Sequence, residues 1–267
     1  MFYLCPLCYR PLAKKDRSFI CDKHHQFDIA KEGYVNLLPV QHKSSKDPGD
    51  NGEMMQARRA FLQQGYYQPM RDKINRLLEQ YLTSSHAFIL DIGCGEGYYT
   101  HSFLRHSWQV YGLDISKIMI KAASKRYKNP HFLVASSQRL PFADNSLNAI
   151  IRIYAPCNGD ELNRVLVNKG IVITATPAPR HLYQLKELIY DKVHLHDEAP
   201  ENLAGFTLVL EERLGYNMHL QGEDAFTLLQ MTPFAWRASQ DTKAQLKQSD
   251  SFHCEADFIL RIYQKNG

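Results

Sequence analysis

Three cysteines and two adjacent histidines crowd the start of the chain: Cys5-Pro6-Leu7-Cys8, then twelve residues, then Cys21-Asp22-Lys23-His24-His25. Thiolates two residues apart can grip one ion from a single tight turn, and a second pair completes a tetrahedron around it. Four such ligands leave no open coordination position, which favours a structural metal, Zn2+, over a catalytic one. With His25 as the fourth ligand the spacing is Cys-x2-Cys-x12-Cys-x3-His; His24, with His25 exposed, is the competing assignment. The bland alternative, free thiols in a flexible arm, fits this spacing poorly. Residues 1–36 hold few large apolar side chains, and so short a segment could hardly fold without a staple.

A second constellation lies at Leu90-Asp91-Ile92-Gly93-Cys94-Gly95-Glu96-Gly97-Tyr98, with Asp114 placed 21 residues past Gly93. Glycines in a strand-to-helix turn let the backbone approach a nucleotide-like ligand closely, and a carboxylate ending the next strand can accept hydrogen bonds from both ribose hydroxyls. The glycines run Gly-x-Gly-x-Gly rather than Gly-x-Gly-x-x-Gly. Asp91 and Glu96 would repel a pyrophosphate but suit a cationic sulfonium and its amino acid tail. A ligand-free tight turn is the bland alternative, and an NAD site is the chemical one.

The elements that must position these residues follow from periodicity. Asp50 and Glu53 form a capping-box pattern ahead of a helix over 53–64 that carries Arg58 and Arg59 and stops at Gly65. A second helix starts near Pro69 and places Met70, Ile74, Leu77, Leu78 and Tyr81 on one face. Strands are expected at 87–92, 109–113, 131–135, 149–154 and 171–176, and helices at 98–105, 116–125, 160–166 and 182–191. Such alternation implies a parallel sheet covered on both faces. The last third differs, with strands at 206–214 and 257–263 around a helix at 223–231, which would suit a closing antiparallel pair.

Bulk properties bound the reading. The chain has 267 residues and a formal net charge of +4. Residues 1–46 contain 8 Lys/Arg against 4 Asp/Glu, while the remainder is balanced. A basic front is consistent with a polyanion partner, though a solvated loop reads the same way. Residues 40–52 read as a polar linker. No apolar stretch approaches the roughly 18 residues of a membrane span, and the start lacks a signal-peptide pattern. We therefore expect a cytoplasmic chain without membrane contact and with reduced cysteines.

Residues 87–176 resemble a class I S-adenosylmethionine-dependent methyltransferase, and Leu140-Pro141-Phe142-Ala143-Asp144-Asn145-Ser146 is similar to the stretch before that fold's fourth strand. The expected architecture is thus α/β, Rossmann-like, with a mostly parallel seven-stranded sheet behind a small N-terminal zinc-binding module. In open α/β sheets the ligand lies beyond the carboxyl ends of the strands. Many relatives carry Asp two residues after the third strand to hold the adenine amino group; here the slot reads Ser136-Ser137, which shifts adenine recognition toward backbone groups. The fourth strand ends Arg152-Ile153-Tyr154-Ala155-Pro156-Cys157 and lacks the Asn/Asp-Pro-Pro-Tyr/Phe motif of amino-directed nucleic-acid enzymes. A ring nitrogen gains support, and a guanine ring nitrogen carries an acidic N–H. Arg152 is a candidate to stabilise charge on the guanine oxygen and Tyr154 to stack on or hydrogen-bond the base. Paired Arg152 and core Tyr154 are their bland readings. Cys157 reads as packing, and no general base stands out.

Nearly the whole chain resembles the bacterial 23S rRNA guanine-N1 methyltransferases, through Cys5–Cys8, Phe27–Pro39, Asp47–Phe61, Leu90–Thr100, Ile150–Cys157 and Met231–Arg237 (MTPFAWR). The resemblance implies zinc at Cys5, Cys8, Cys21 and His25. It also implies cofactor contacts from Tyr67, Gly95, Glu96 and His181, beside Asp91, Gly93, Gly97 and Asp114 from the turn pattern. It implies a 23S rRNA hairpin gripped by the module and the cleft together, and a homodimer is compatible with it. The expected division is a zinc-binding RNA-recognition module over 1–36, a linker with helices over 37–84, and the catalytic domain over 85–267. A small-molecule methyltransferase with a protein-docking zinc module, and a non-catalytic RNA-binding protein, are the alternatives.

Overall fold

A computed structural model describes residues 3–39, 52–104 and 107–267. The expected cap at Asp50 and nearly all of the polar linker lie outside the described residues, as does Arg105. Eight strands form the main sheet: β4 (Val35–Asn36), β5 (Phe88–Ile92), β6 (Gln109–Asp114), β7 (His131–Val134), β8 (Leu147–Ile153), β9 (Leu166–Pro177), β10 (Phe206–Leu220) and β11 (Phe252–Lys265). Their spatial order is β10-β11-β9-β8-β5-β6-β7-β4. Pairing is parallel from β4 through β9. It turns antiparallel at β9–β11 and β11–β10, which is the closing pair expected from the last third. Central β5 is covered on both faces, and apart from Asp91 its residues are apolar.

The sheet is expected to have seven strands and has eight. The extra strand, β4, comes from the end of the N-terminal segment and pairs with β7 at Val35–Leu133 and Asn36–Val134. The front module is therefore stitched to the edge of the catalytic sheet. It carries its own three-stranded sheet of β1 (Ala13–Lys15), β2 (Ser18–Ile20) and β3 (Gln26–Asp28).

Strand alternation sends side chains to opposite faces. On one face Ile89, Ile151 and Ile173 pack with Phe61 of α1 (Gly52–Gln63), Met70, Ile74, Leu77 and Leu78 of α2 (Gln68–Tyr81), and Leu228 and Leu229 of a helix over Gly222–Gln230. On the other, Leu90, Ile92, Leu113 and Ile150 pack with Tyr3, Cys5, Leu12 and Cys21 of the module. α3 (Lys117–Arg126) is capped by Ser116, whose hydroxyl accepts from the Met119 N–H. α4 (Gly159–Val165), α5 (Tyr183–Glu187), α6 (Gly222–Gln230) and α7 (Gln240–Gln248) complete the set.

Two expected helices are curtailed. The segment after the glycine turn winds only one tight turn over Thr100–Phe103, where Thr, His, Ser and Phe offer weak helix propensity. The 182–191 helix shrinks to α5, entered through Leu182 in the left-handed region at φ 56. Helix α7 escaped the periodicity reading because only Leu246 of its nine residues is buried.

Candidate functional site

The module's cysteines fold as two similar turns. Tyr9 N–H returns to the Cys5 carbonyl at 2.9 Å and His24 N–H to the Cys21 carbonyl at 3.0 Å, with Tyr9 and His24 both at φ 61. Because His24 takes the left-handed position, its ring is exposed while His25 turns inward. Cys5, Cys8, Cys21 and His25 offer ligand atoms that all lie within 4.8 Å of one another. Cys8 and Cys21 Sγ stand 3.7 Å apart, and His25 Nδ1 lies 3.4 Å and 3.5 Å from Cys5 and Cys21 Sγ. A zinc tetrahedron with metal–sulfur bonds of about 2.3 Å has edges of roughly 3.5–3.8 Å. The four residues therefore fit a closed zinc site with Nδ1 as the histidine ligand.

The module sits directly over the catalytic sheet. Leu4 N–H donates to the Pro141 carbonyl at 3.0 Å, and the Tyr3 ring meets Phe142 and Tyr111 at centroid distances of 5.6 Å and 6.1 Å. The Arg139 guanidinium covers the Tyr9 ring.

At the end of β5 the three turn glycines divide their roles. All have positive φ. A Cβ at Gly93 would stand 2.7 Å from the Ala155 Cβ, and one at Gly97 would stand 2.8 Å from the Phe132 ring, so these two permit packing. A Cβ at Gly95 would meet nothing within 4 Å, so Gly95 borders open space where a ligand can approach the backbone. Asp114 Oδ2 accepts the Gly95 N–H at 2.9 Å and Oδ1 accepts the Ser116 N–H at 2.8 Å. Asp114 thus stands beside the open face of Gly95, at the end of the strand after the glycine turn.

The two other acidic residues have protein partners. Asp91 is 2% exposed and accepts the Thr100 hydroxyl at 2.6 Å, tying the turn to the segment behind it. Glu96 is gripped by both ends of the Arg59 guanidinium from α1. Neither carboxylate is a bare charge: Asp91 is buried against Thr100, and the Glu96 side chain, 13% exposed, is paired with Arg59.

Burial lifts the Asp91 carboxyl to about 7, the Thr100 hydrogen bond opposing and the nearby Asp114 charge adding to the rise. Such a group binds more protons folded than unfolded, so it lowers stability as pH rises from about 4 to about 7. His181 has the opposite sign: burial holds it down to about 3, so stability climbs with pH from about 3 to about 6.5. Asp91→Asn keeps an acceptor for Thr100 and removes only the first slope. In urea denaturation, the stability of the variant relative to wild type should increase between about pH 4.5 and pH 7.5. An unchanged difference would contradict the raised Asp91.

A third group gathers where β8 and β9 end. The Asp257 N–H donates to His181 Nδ1 at 3.2 Å, so the imidazole proton sits on Nε2. That nitrogen lies 3.4 Å from the Tyr67 hydroxyl and 3.5 Å from the Tyr154 hydroxyl. Phe258 backs the cluster, 4.7 Å from His181 and 5.2 Å from Tyr67 between centroids. Tyr154 has φ 57 and is 46% exposed. A bulky side chain held in the left-handed region is a strained feature that clusters at functional sites.

Four observations now stand together: a four-residue cysteine–histidine cluster with zinc-site spacing, an open glycine turn, a carboxylate anchored by two backbone N–H groups, and an aromatic–histidine wall. The zinc-ribbon family described as RlmA, N-terminal, matches residues 3–46, and a methyltransferase domain family matches residues 90–174. A Bacillus subtilis protein named "Putative 23S rRNA (guanine-N(1)-)-methyltransferase YxjB" is 30% identical across 98% of this chain and 97% of its own length. The chain belongs to the 23S rRNA (guanine-N1)-methyltransferase family. The 23S rRNA (guanine(748)-N(1))-methyltransferase of Streptomyces fradiae is 29% identical over 90% of this chain and 88% of its own length.

Within this member of the guanine-N1 methyltransferase family, the residues expected at the site fall into separate places. Tyr67, Tyr154 and His181 are brought together, and Gly95, Glu96 and Asp114 share the turn. Arg152 is not among them. It is 5% exposed and its guanidinium is paired with Glu201 of the segment that leads into β10, so the paired reading of Arg152 describes it. Its neighbour in that pocket is Cys157, whose thiol burial pushes up to about 12 and whose Sγ donates to the Ser137 carbonyl at 3.1 Å. Arg58 of α1 donates to the Met231 carbonyl at 3.3 Å, and its neighbour Arg59 pairs with Glu96 of the glycine turn. Sequence reasoning noted Arg58 and Arg59 only as basic residues. Their adjacency on a helix sent back over the sheet was the available signal, but nothing in the periodicity indicates that fold-back.

Proposed function

We propose that this chain transfers a methyl group from S-adenosylmethionine to N1 of one guanine in a 23S rRNA hairpin, in the cytoplasm. The observation that carries the reading is likeness to 23S rRNA (guanine-N1)-methyltransferases along nearly the full length, zinc ribbon and catalytic sheet included. Among the described residues no helix is long and apolar enough to cross a membrane.

S-adenosylmethionine supplies a positively charged sulfonium whose methyl carbon is open to in-line attack. The fit of this chain to it rests on the open face of Gly95 and the doubly held Asp114. Asp114 would take the ribose hydroxyls, and the turn at Gly93, Gly95 and Gly97 would let the backbone come close. The Arg59–Glu96 pair presents one cation and one anion, matching the carboxylate and ammonium of an amino acid tail. Asp91 holds the turn through Thr100, while Tyr67 and His181 line the reaction side.

Tyr154, half-exposed at the strand end, receives the base by stacking or hydrogen bonding. Loss of the guanine N1 proton spreads negative charge onto the exocyclic carbonyl oxygen, and a nearby cation would stabilise it, for which Arg58 of α1 is our candidate. Arg152 acts behind the wall, holding the segment around Glu201 against β8. His181 serves as an Nε2–H donor and not as the base, because Nδ1 is occupied and burial keeps the ring neutral. The proton leaves to water through the exposed side of Tyr154. Positioning supplies much of the rate in such a site. We assign residues 1–36 to zinc-dependent RNA recognition, 37–84 to the connection and closing helices, and 85–267 to catalysis.

Labelled methyl transfer onto unmodified 23S rRNA tests this, with free guanosine and small acceptors in parallel. Label in rRNA alone is expected. Label in small acceptors alone would overturn the proposal.

A further inference from the structure

The MTPFAWR segment forms no part of the site described above, yet it carries the most exposed large apolar side chain among the described residues, Trp236 at 72%. It is not on a loose end. Pro233–Trp236 make one tight turn, closed by Arg237 N–H to the Phe234 carbonyl at 2.9 Å and by Ala238 N–H to the same oxygen at 3.2 Å. The buried Thr232 hydroxyl anchors the entry by donating to the Leu229 carbonyl at 2.7 Å. A large aromatic left facing water by a rigid turn calls for a partner.

The surroundings indicate which one. The Arg237 guanidinium lies 5.7 Å from the Tyr190 ring centroid, and Lys186 Nζ lies 5.8 Å from that of Phe234. Tyr190 and Phe234 meet edge to face at 6.0 Å. Among the described residues no carboxylate pairs with Arg237. Lys186 is buried and bonded to His196 Nε2 at 2.8 Å, so Arg237 is the exposed cation of this patch. An exposed aromatic beside such a cation is a pattern that binds single-stranded nucleic acid, base on ring and phosphate on arginine. The turn is also coupled to the methyl-transfer site: Arg58 holds the Met231 carbonyl at its start, and its neighbour Arg59 holds Glu96 of the glycine turn.

We propose that Trp236 is a stacking platform for an unpaired base of the RNA substrate, with Arg237 taking an adjacent phosphate. The inference rests on the rRNA reading above. Trp236 is a positioning residue: it holds the RNA and leaves the reacting atoms to the Tyr154 wall.

The chain has two tryptophans, which makes the test direct. Trp108 is buried with its Nε1–H donated to the Ser84 carbonyl at 3.1 Å, so quenchable emission belongs to Trp236. Adding an unmodified 23S rRNA fragment should quench that emission. Trp236→Ala should raise KM for the fragment about tenfold or more with kcat unchanged, as loss of one base stack does, while Trp236→Phe stays close to wild type. Wild-type KM in Trp236→Ala, with no quenching of the parent, would overturn the inference while leaving rRNA methylation standing. Emission that changes with protein concentration alone, together with a dimer in sedimentation that Trp236→Ala dissolves, would overturn it in favour of an interface between two copies. Failure of the wild-type chain to methylate any rRNA would strike the functional reading instead.

Discussion

Removing zinc, by chelator or by Cys21→Ser, should destabilise the whole chain and abolish rRNA methylation while leaving cofactor affinity nearly intact. Cys5 and Cys21 are buried in the same apolar cluster as Leu90, Ile92 and Leu113 of the catalytic sheet. The ribbon is three strands of three residues each and has little core of its own. Metal binding in such modules is worth on the order of 10 kcal/mol, so the ribbon unfolds without it. Its loss then uncovers Phe142 and Tyr111 where Tyr3 packed, and frees β4 from the edge of β7. A lowered melting temperature, one zinc lost per chain and an rRNA methylation rate reduced by about a hundredfold or more are expected, with cofactor titration changed by less than about fivefold. Full rRNA activity in zinc-free protein would show that the ribbon plays no part in holding substrate.

The second large effect is expected from Asp114→Ala. That carboxylate holds the Gly95 and Ser116 backbone N–H groups, and in the proposed function it also accepts the ribose hydroxyls. Each hydrogen bond to a charged acceptor contributes about 1.5–3 kcal/mol, so losing two ribose contacts weakens cofactor binding by about a hundredfold or more. Asp114→Asn keeps one acceptor and should fall between. Calorimetric titration with the cofactor's demethylated product reads this directly, without RNA. Affinity within threefold of wild type for the alanine variant would place the ribose elsewhere.

Much of this arrangement was legible in the sequence where chemistry demands particular residue types at particular spacings. The Cys5–His25 pattern, the Gly93–Gly97 turn and Asp114 needed no tertiary information, because their geometry is local or set by one strand–helix repeat. The parallel order followed from strand–helix alternation for the same reason. What escaped depended on chain return. Arg59 reaches Glu96, and Arg58 the Met231 carbonyl, only because α1 folds back over the sheet. Arg152 and Tyr154 lie two residues apart, yet the left-handed backbone of Tyr154 and the Arg152–Glu201 pair assign them to different neighbours. β4 is two residues long and has no periodicity to read. The choice between His24 and His25, open on spacing alone, corresponds to which of the two takes the left-handed turn position.

Delivery of a methyl group to a guanine ring nitrogen in 23S rRNA can be read by nucleoside mass spectrometry of 23S rRNA from cells lacking the chain and from the same cells given it back. One N1-methylguanosine is expected to disappear and return, and to stay absent with Asp114→Ala. Unchanged N1-methylguanosine in both strains, or a methyl group that maps to another atom or to no RNA, would contradict it.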